Sequence, residues 1–243
     1  MNALLEKIYT LYGLGAHSPK KVTKGFLSEN HIFFAEGVKY FLKRYRFNDE
    51  HRIQEIHAVK KYFADHSLSI IIPVATKSGD TYFLFNDGIF TVFPFIEDKE
   101  YEIGTLSNTA IISLGETLAR LHIVGKTAKV PIQRRSESWD KKKMLEKIYA
   151  IQGVIQTITH PSDFDMLARK NLDLKQDVIF RDKTIFEELD IPDDHLIHGD
   201  YIVSNVFFDT YDQVSYIFDF EKCTYASRIF EVFRSCMYSF FYS

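Results

Sequence analysis

The stretch HLIHGDYIVSNVFFD, residues 195–209, constrains the fold of this chain more than any other part of the sequence. Short apolar runs at its two ends bracket a polar centre that contains Asp200 and Asn205, and Asp219 ends a further apolar run downstream. Such runs are typical of short, buried strands. Because short strands form a rigid base, we expect the three polar side chains to lie close together where the chain folds back as a hairpin. The pattern predicts a polar site built on a small sheet.

Asp200, Asn205 and Asp219 are residue types that suit phosphoryl transfer. Carboxylate and amide oxygens suit Mg²⁺, which keeps most of its ligation as water and substrate phosphate. A carboxylate that does not bind metal can hold an incoming hydroxyl, and positioning with charge neutralisation does most of the catalysis. The spacing from Asp200 to Asn205 is that of the protein-kinase catalytic loop, with Gly199 in place of its arginine. The DFE that begins at Asp219 corresponds likewise to the metal-binding D-F-G.

Composition limits the class of protein. With 243 residues and 46% hydrophobic content, the chain can bury one large core or two smaller lobes. The net charge of −3 gives no general attraction to nucleic acid or to anionic membranes, so we expect neither as a partner. Two cysteines are too few for a disulfide framework, and no apolar stretch is long enough to span a bilayer. These features and a charged N-terminus predict a cytoplasmic protein.

The first hundred residues have the patterns of an antiparallel sheet with one prominent helix. Period-two alternation predicts two strands within 26–46, and Asn48-Asp49 supply caps for a helix that runs to about residue 66. SLSIIIPVA predicts a buried strand that Pro73 ends. TYFLF and IFTVF flank an Asn-Asp-Gly turn, which is a strong hairpin signal.

The rest of the chain has mainly helical patterns. A 3, 4, 3 spacing of apolar residues from Ile111 to Leu121 predicts an amphipathic helix. Further segments are predicted as helices at about 138–158 and 162–180, and as strands at 196–198, 206–209 and 214–219. The sequence therefore predicts an α+β fold with a β-rich N-terminal lobe at 1–95, a hinge near 94–98 and a mainly helical C-terminal lobe at 96–243.

HGDxxxxN followed by IFDFE resembles the aminoglycoside phosphotransferase and choline kinase-like family, small-molecule kinases with a two-lobed, protein-kinase-like fold. The resemblance covers nearly the whole chain. GFLSEN is similar to the nucleotide-covering turn of that family, YFLKRYR to its lysine-bearing strand, and IQEIHAVKKYF to the helix that supplies a glutamate. TVFPFIED resembles the hinge, and LGETLARLH the helix after it. Five matches in the right order, with the catalytic pair, make the resemblance specific.

The resemblance implies a role for each matching residue. Asp200 would be the catalytic aspartate that orients the acceptor hydroxyl and accepts its proton, and Asn205 and Asp219 would bind Mg²⁺. Lys43 would hold the α- and β-phosphates, and Glu55 would pair with it. The helical pattern supports an inward-facing Glu55 independently, because this residue lies at the border of the apolar face of its helix.

The nucleotide would be ATP or GTP, held at the hinge by backbone groups around Phe93, Phe95 and Ile96. The chain lacks a glycine-rich loop, so Ser28 and Asn30 in the covering turn would take the place of its glycines at the phosphates. The acceptor implied by the resemblance is a small molecule with a hydroxyl group: an amino alcohol, a sugar or an aminoglycoside. We expect the loop histidine, His198, to bond backbone groups rather than to titrate in catalysis.

Alternatives to a small-molecule kinase differ in how well the sequence fits them. A metal-hydrolase fragment around HGD would need further His or Asp ligands at close spacing, and none appears. A eukaryotic-type protein kinase is disfavoured because the arginine of HRD and an Ala-Pro-Glu segment are both missing. Family members usually continue well beyond the DFE segment with helices that complete the acceptor pocket, whereas RSCMYSFFYS ends this sequence. The C-terminal helices are therefore expected to be shortened, and a catalytically silent nucleotide-binding protein of the same fold remains an alternative. The aromatic end is compatible with a monomer or a homodimer.

Overall fold

The structure is a computed structural model that describes residues 2–22, 30–134, 141–181 and 194–240. The helices are α1 (Asn2–Tyr12), α2 (Glu50–Asp65), α3 (Asn108–Lys126), α4 (Lys141–Gln156), α5 (Asp163–Arg181) and α6 (Arg228–Phe240). The strands are β1 (His17–Lys21), β2 (His31–Ala35), β3 (Val38–Arg44), β4 (Phe83–Phe85), β5 (Gly88–Pro94), β6 (His195–Ile197), β7 (Val206–Phe208), β8 (Val214–Ile217) and β9 (Thr224–Ala226). This mixed composition confirms the predicted α+β class.

The N-terminal strands form one five-stranded antiparallel sheet in the order β1-β2-β3-β5-β4. Glu36 and Gly37 form the turn between β2 and β3, and both have positive φ, 52° and 78°. Two such residues in a two-residue loop match the right-handed twist of the strands, which favours this register. In β3, Lys43 lies opposite Thr91 of β5. The predicted hairpins are both present.

Helix α2 forms where the cap residues and apolar spacing predict it. The side chain of Asp49 accepts a hydrogen bond from the backbone N–H of Arg52 at 3.0 Å, which satisfies one free donor of the first turn. Ile53, Ile56 and Phe63 recur at helical spacing and are completely buried. Burying each of these side chains stabilises the fold by about 1.5–3 kcal/mol.

The strand predicted for SLSIIIPVA is not formed. Ile70 makes a single isolated bridge to Ile217, and the N–H of Val74 donates to the carbonyl oxygen of Val92 at 2.8 Å. Ile70 and Ile71 are buried nonetheless. The apolar run therefore predicted correctly that this segment is buried, but it did not identify a strand with which the segment could pair. Pro73 also removes one of the N–H donors that strand pairing requires.

Helix α3 packs closely on the small sheets of the C-terminal part. Its N-cap Ser107 accepts from the N–H of Ala110. Of the predicted apolar stripe, Leu114, Leu118 and Leu121 are buried, whereas Ile111 is exposed. A Cβ at Gly125 would lie 2.1 Å from the carbonyl oxygen of Leu196 in β6, so only glycine permits this approach. Strands β6 and β9 pair, as do β7 and β8, which confirms the three short strands predicted downstream of residue 195.

The chain divides into two compact units, residues 1–134 with 193–243, and residues 135–192. In the second unit α4 and α5 pack on each other, and Gln152 donates to Asp173 at 2.8 Å. Both helices were predicted. The division of the chain into lobes at 95/96 stays a prediction. Among the described residues, no helix is both long and apolar enough to cross a bilayer.

Candidate active site

The polar loop between β6 and β7 is held by a neutral histidine. His198 is completely buried, and its Nδ1 accepts the N–H of Asp200 at 3.1 Å. Nε2 must then carry the ring proton, and it donates to the carbonyl oxygen of Phe218 at 2.7 Å. Burial lowers the pKa of His198, which fits an uncharged ring. The prediction that His198 bonds backbone groups is confirmed.

Asn205 joins the loop to the strand that leads to Asp219. Its Nδ2 donates to the carbonyl oxygen of Asp200 at 2.9 Å, and its own carbonyl oxygen accepts the N–H of Phe218 at 2.9 Å. The amide nitrogen is thereby committed to the loop, and Oδ1 is the oxygen that can hold a metal ion. The structure thus brings Asn205 next to the backbone of the residue that precedes Asp219.

Asp219 stands at the start of a tight turn, in a conformation that aspartate adopts rarely. Its backbone is left-handed, with φ 58° and ψ 66°, and a 3₁₀ turn, Phe220–Lys222, follows it. Left-handed conformations of residues other than glycine are concentrated at functional sites. Burial alone would raise the pKa of Asp219, but the neighbouring ammonium of Lys43 outweighs burial and holds the pKa below its usual range.

Lys43 extends from the large sheet to this turn. Its Nζ lies 2.8 Å from Oδ1 of Asp219 and 2.6 Å from Oε1 of Glu221, and its side chain is 6% exposed. Burial by itself lowers the pKa of Lys43, whereas the charges of the two carboxylates outweigh burial and hold the pKa above its usual range. The structure therefore brings Lys43, Asn205 and Asp219 together, and their roles stay predictions.

The structure does not bring Glu55 and Lys43 together. Glu55 is buried, which agrees with its inward-facing position on the helical wheel, but its Oε2 accepts from Nη1 of Arg52 at 3.2 Å. Its Oε1 accepts the N–H of Gln133 at 2.6 Å. Arg52 in turn donates through Nη2 to the carbonyl oxygens of Glu221 and Cys223, each at 2.8 Å. Glu55 thus balances the buried guanidinium that ties α2 to the DFE turn.

The residues predicted to bind the nucleotide differ in how far they are buried. Phe93 is buried, and its ring meets that of Phe218 edge to face at 5.4 Å between centroids. Phe95 follows β5 with its N–H 3.3 Å from the carbonyl oxygen of Lys39, whose ammonium lies 4.5 Å from the Phe95 ring centroid. Ile96 is half-buried beside it. Ser28 lies outside the described residues.

Asp200 has two cationic partners that the sequence analysis did not identify. Nε and Nη2 of Arg234 lie 2.7 and 2.6 Å from Oδ1, and Nζ of Lys222 lies 3.0 Å from Oδ2. Arg234 belongs to α6, which was not predicted because its segment was noted only for its aromatic residues. A signal was available, since Glu231 and Arg234 are three residues apart and so share one helix face.

Glu231 secures the same loop from inside the protein. It is completely buried, its Oε1 accepts the N–H of Gly199 at 2.5 Å, and its Oε2 lies 2.9 Å from Nε2 of His122. Gly199 has φ +81°, and a Cβ there would lie 2.1 Å from the carbonyl oxygen of Lys222. This contact explains why glycine stands where protein kinases have arginine.

The side chains present fit a magnesium ion held mainly by substrate. The described residues contain no cluster of three or more His, Cys, Asp or Glu side chains arranged for a metal. Mg²⁺ in kinase sites needs no such cluster, because one or two protein oxygens are combined with phosphate oxygens and water. Asp219 and Asn205 would provide that number of protein ligands.

The comparison with protein families agrees with this geometry. The model of the phosphotransferase enzyme family matches residues 22–242, which is most of the chain. The chain therefore belongs to that family. A comparison with curated proteins found no match.

Solved structures share the fold at low sequence identity. Spectinomycin phosphotransferase with ADP and spectinomycin has a TM-score of 0.77 and 19% identity over 98% of this chain and 72% of its own. Amicoumacin kinase with AMP-PNP and Ca²⁺ has a TM-score of 0.69 and 18% identity over 98% and 68%. An aminoglycoside phosphotransferase from Alicyclobacillus acidocaldarius has a TM-score of 0.62 and 18% identity over 92% and 67%. These neighbours confirm the predicted kinase-like fold, and the family membership supports a small-molecule kinase.

Proposed function

We propose that this protein transfers the γ-phosphoryl group of ATP to a hydroxyl of a small molecule, namely an amino alcohol, a sugar or an aminoglycoside. The observation that carries the proposal is the contact of Lys43 with Asp219 at 2.8 Å, which joins a lysine of the sheet to the DFE turn. Asn205 links that turn to Asp200 through two hydrogen bonds. A phosphate-binding cation, two metal-binding oxygens and a carboxylate for the acceptor are thus parts of one site.

Each side chain has one task in this proposal. Lys43 exchanges its carboxylate partners for the α- and β-phosphates, and backbone groups from Phe93 to Ile96 hold the base. Asn205 and Asp219 hold Mg²⁺, which when bound neutralises charge on the β- and γ-phosphates. Asp200 orients the acceptor hydroxyl and accepts its proton, so that the oxygen lies in line with the phosphorus.

The neighbours suggest which donor and acceptors to test first. The spectinomycin phosphotransferase structures contain ADP or AMP, and that of amicoumacin kinase contains AMP-PNP, which are all adenine nucleotides. ATP is therefore proposed before GTP. An aminopropanol kinase shares the fold with a TM-score of 0.64 and 13% identity, so amino alcohols belong in the acceptor panel with sugars and aminoglycosides.

The proposal also includes the division of the chain into lobes at 1–95 and 96–243. It further includes a monomeric or homodimeric state and a location in the cytoplasm.

Thermal unfolding with Mg²⁺ and nucleotide, followed by ATP consumption with the acceptor panel, tests the proposal. At a hundred times its dissociation constant, ATP should stabilise the folded chain by about 2.7 kcal/mol, and Asp219→Ala should remove that gain. Asp200→Asn should keep the gain and lower transfer by about 100-fold or more, since only the group that contacts the acceptor is changed.

The two variants also separate the alternatives. Equal loss of binding and transfer in Asp200→Asn would contradict the role of Asp200. A magnesium-dependent shift without turnover on any acceptor would favour a catalytically silent nucleotide-binding protein. No shift with ATP or GTP would contradict nucleotide binding itself.

A further inference from the structure

Helix α6 contacts the predicted catalytic loop through two side chains, one turn apart. Glu231 is completely buried and binds the backbone N–H of Gly199 as well as Nε2 of His122 in α3. Arg234 then reaches the side chain of the next residue, Asp200. Because the glutamate fixes the helix against the loop backbone, the arginine approaches Asp200 from a fixed direction.

The two oxygens of Asp200 are in unequal surroundings. Nε of Arg234 donates to Oδ1 at 2.7 Å, and Nη2 lies 2.6 Å from the same oxygen, from a side chain that is 23% exposed. Its guanidinium carbon also lies 4.8 Å from the ring centroid of Tyr238, which restricts the plane of the group. Oδ2, in contrast, faces Nζ of Lys222 at 3.0 Å, and the lysine side chain is 56% exposed.

These differences determine which oxygen of Asp200 can accept a hydrogen bond from an incoming hydroxyl. A planar guanidinium with two nitrogens against one oxygen is held in place, whereas an exposed ammonium on a flexible stem exchanges readily with water or another donor. Among the described residues, Lys222 is the one partner of Oδ2. An acceptor hydroxyl that displaces Lys222 can donate a hydrogen bond to Oδ2 of Asp200, while Arg234 keeps its contacts with Oδ1.

We propose that Arg234 is a positioning residue that binds Oδ1 of Asp200 and thereby presents Oδ2 to the acceptor hydroxyl. The proposal rests on the phosphotransferase function proposed above. It assigns a role in that reaction to the last described helix, beyond packing. Arg234 itself touches neither substrate nor nucleotide.

The test uses the full chain with three variants, Arg234→Gln, Arg234→Lys and, as matched control, Arg228→Gln at the exposed start of the same helix. Steady-state hydrolysis of Mg·ATP is the assay, with water as the probe acceptor. A misplaced reacting group costs about 100-fold in rate. Arg234→Gln should therefore lower kcat by up to that factor with the KM for ATP within twofold, Arg234→Lys should recover part of the loss, and Arg228→Gln should match the unchanged protein.

Crystal structures of Arg234→Gln and Arg228→Gln give a readout that does not depend on turnover. The carboxylate of Asp200 should rotate in the first and keep its orientation in the second. An unrotated carboxylate in Arg234→Gln, an unchanged kcat, or an equal loss in Arg228→Gln would overturn the positioning role. If the unchanged protein binds Mg·ATP but does not hydrolyse it, the catalytic function fails separately, and the orientation of Asp200 still decides the question for Arg234.

Discussion

At Asp200 one carboxylate faces two cations, and at Lys43 one cation faces two carboxylates. The two groups are joined through the DFE turn, in which Glu221 contacts Lys43 and the next residue, Lys222, contacts Asp200. Paired charges reduce the cost of taking ions out of water, which is large for a single buried ion. The site is thus balanced in charge, and the proposed Mg²⁺ nucleotide would have to displace the carboxylate partners of Lys43.

Gly199 allows this arrangement, because only glycine fits between the loop and the carbonyl oxygen of Lys222. Gly199→Ala should lower the free energy of unfolding by about 1–3 kcal/mol more than Gly79→Ala, as measured by urea denaturation. Both glycines have positive φ, +81° and +89°, but a Cβ at Gly79 meets no atom within 4 Å. The difference between the variants therefore isolates the steric clash from the backbone strain. Equal destabilisation would show that the clash is relieved without cost.

Among the helices, α2 is tied to the DFE turn by the buried Arg52. This side chain is 2% exposed, and it binds Glu55 and the carbonyl oxygens of Glu221 and Cys223. Arg52→Met should destabilise the fold by about 3–5 kcal/mol, because it removes one partner of a buried ion pair and the donor to the carbonyl oxygens of Glu221 and Cys223.

The double variant Arg52→Met with Glu55→Gln is the control for this prediction. It removes both charges, so it should recover part of the stability lost in Arg52→Met when both are compared by chemical denaturation. A double variant less stable than the single one would show that Glu55 has a more important partner than Arg52.

Local patterns in the sequence predicted elements, whereas contacts between distant segments were not predictable. The cap at Asp49 and the apolar spacing located α2, and Asn-Asp-Gly located the hairpin of β4 and β5, because caps and turns depend on neighbouring residues. Helices α1 and α6 and the strands β1 and β9 were missed. The partner of Glu55 and the contact of Arg234 with Asp200 join residues far apart in sequence, so residue spacing alone did not contain them.

For the molecule as a whole, part of the pH dependence of stability follows from histidines buried without charge. His57 lies in α2 with Nε2 3.0 Å from the hydroxyl of Tyr45 and Nδ1 2.7 Å from that of Thr81. Burial and then the positive charges of Lys60 and Lys43 lower the pKa of His57 from 6.5 to about 3. The hydroxyl partners suit a neutral ring, which donates at one nitrogen and accepts at the other.

The sign of the effect follows from which state binds more protons. Below pH 6.5 the unfolded chain protonates residue 57 and the folded chain does not, so the stability from His57 is complete above pH 6.5 and falls as pH decreases toward 3. The slope from one such group is at most about 1.4 kcal/mol per pH unit. His57→Gln should reduce this slope in unfolding free energies measured by urea at pH 7, 6, 5 and 4.

The substitution separates the contribution of His57 from that of His198, which is also buried. The pKa of His198 is also lowered, so the variant should keep part of the acid-dependent loss rather than become independent of pH. His160, which is exposed, provides the control: His160→Gln should leave the slope as it is in the unchanged protein. If the slope of His57→Gln equals that of the unchanged protein, then His57 becomes protonated in the folded state near pH 6.5, and the hydroxyls of Tyr45 and Thr81 do not hold it neutral.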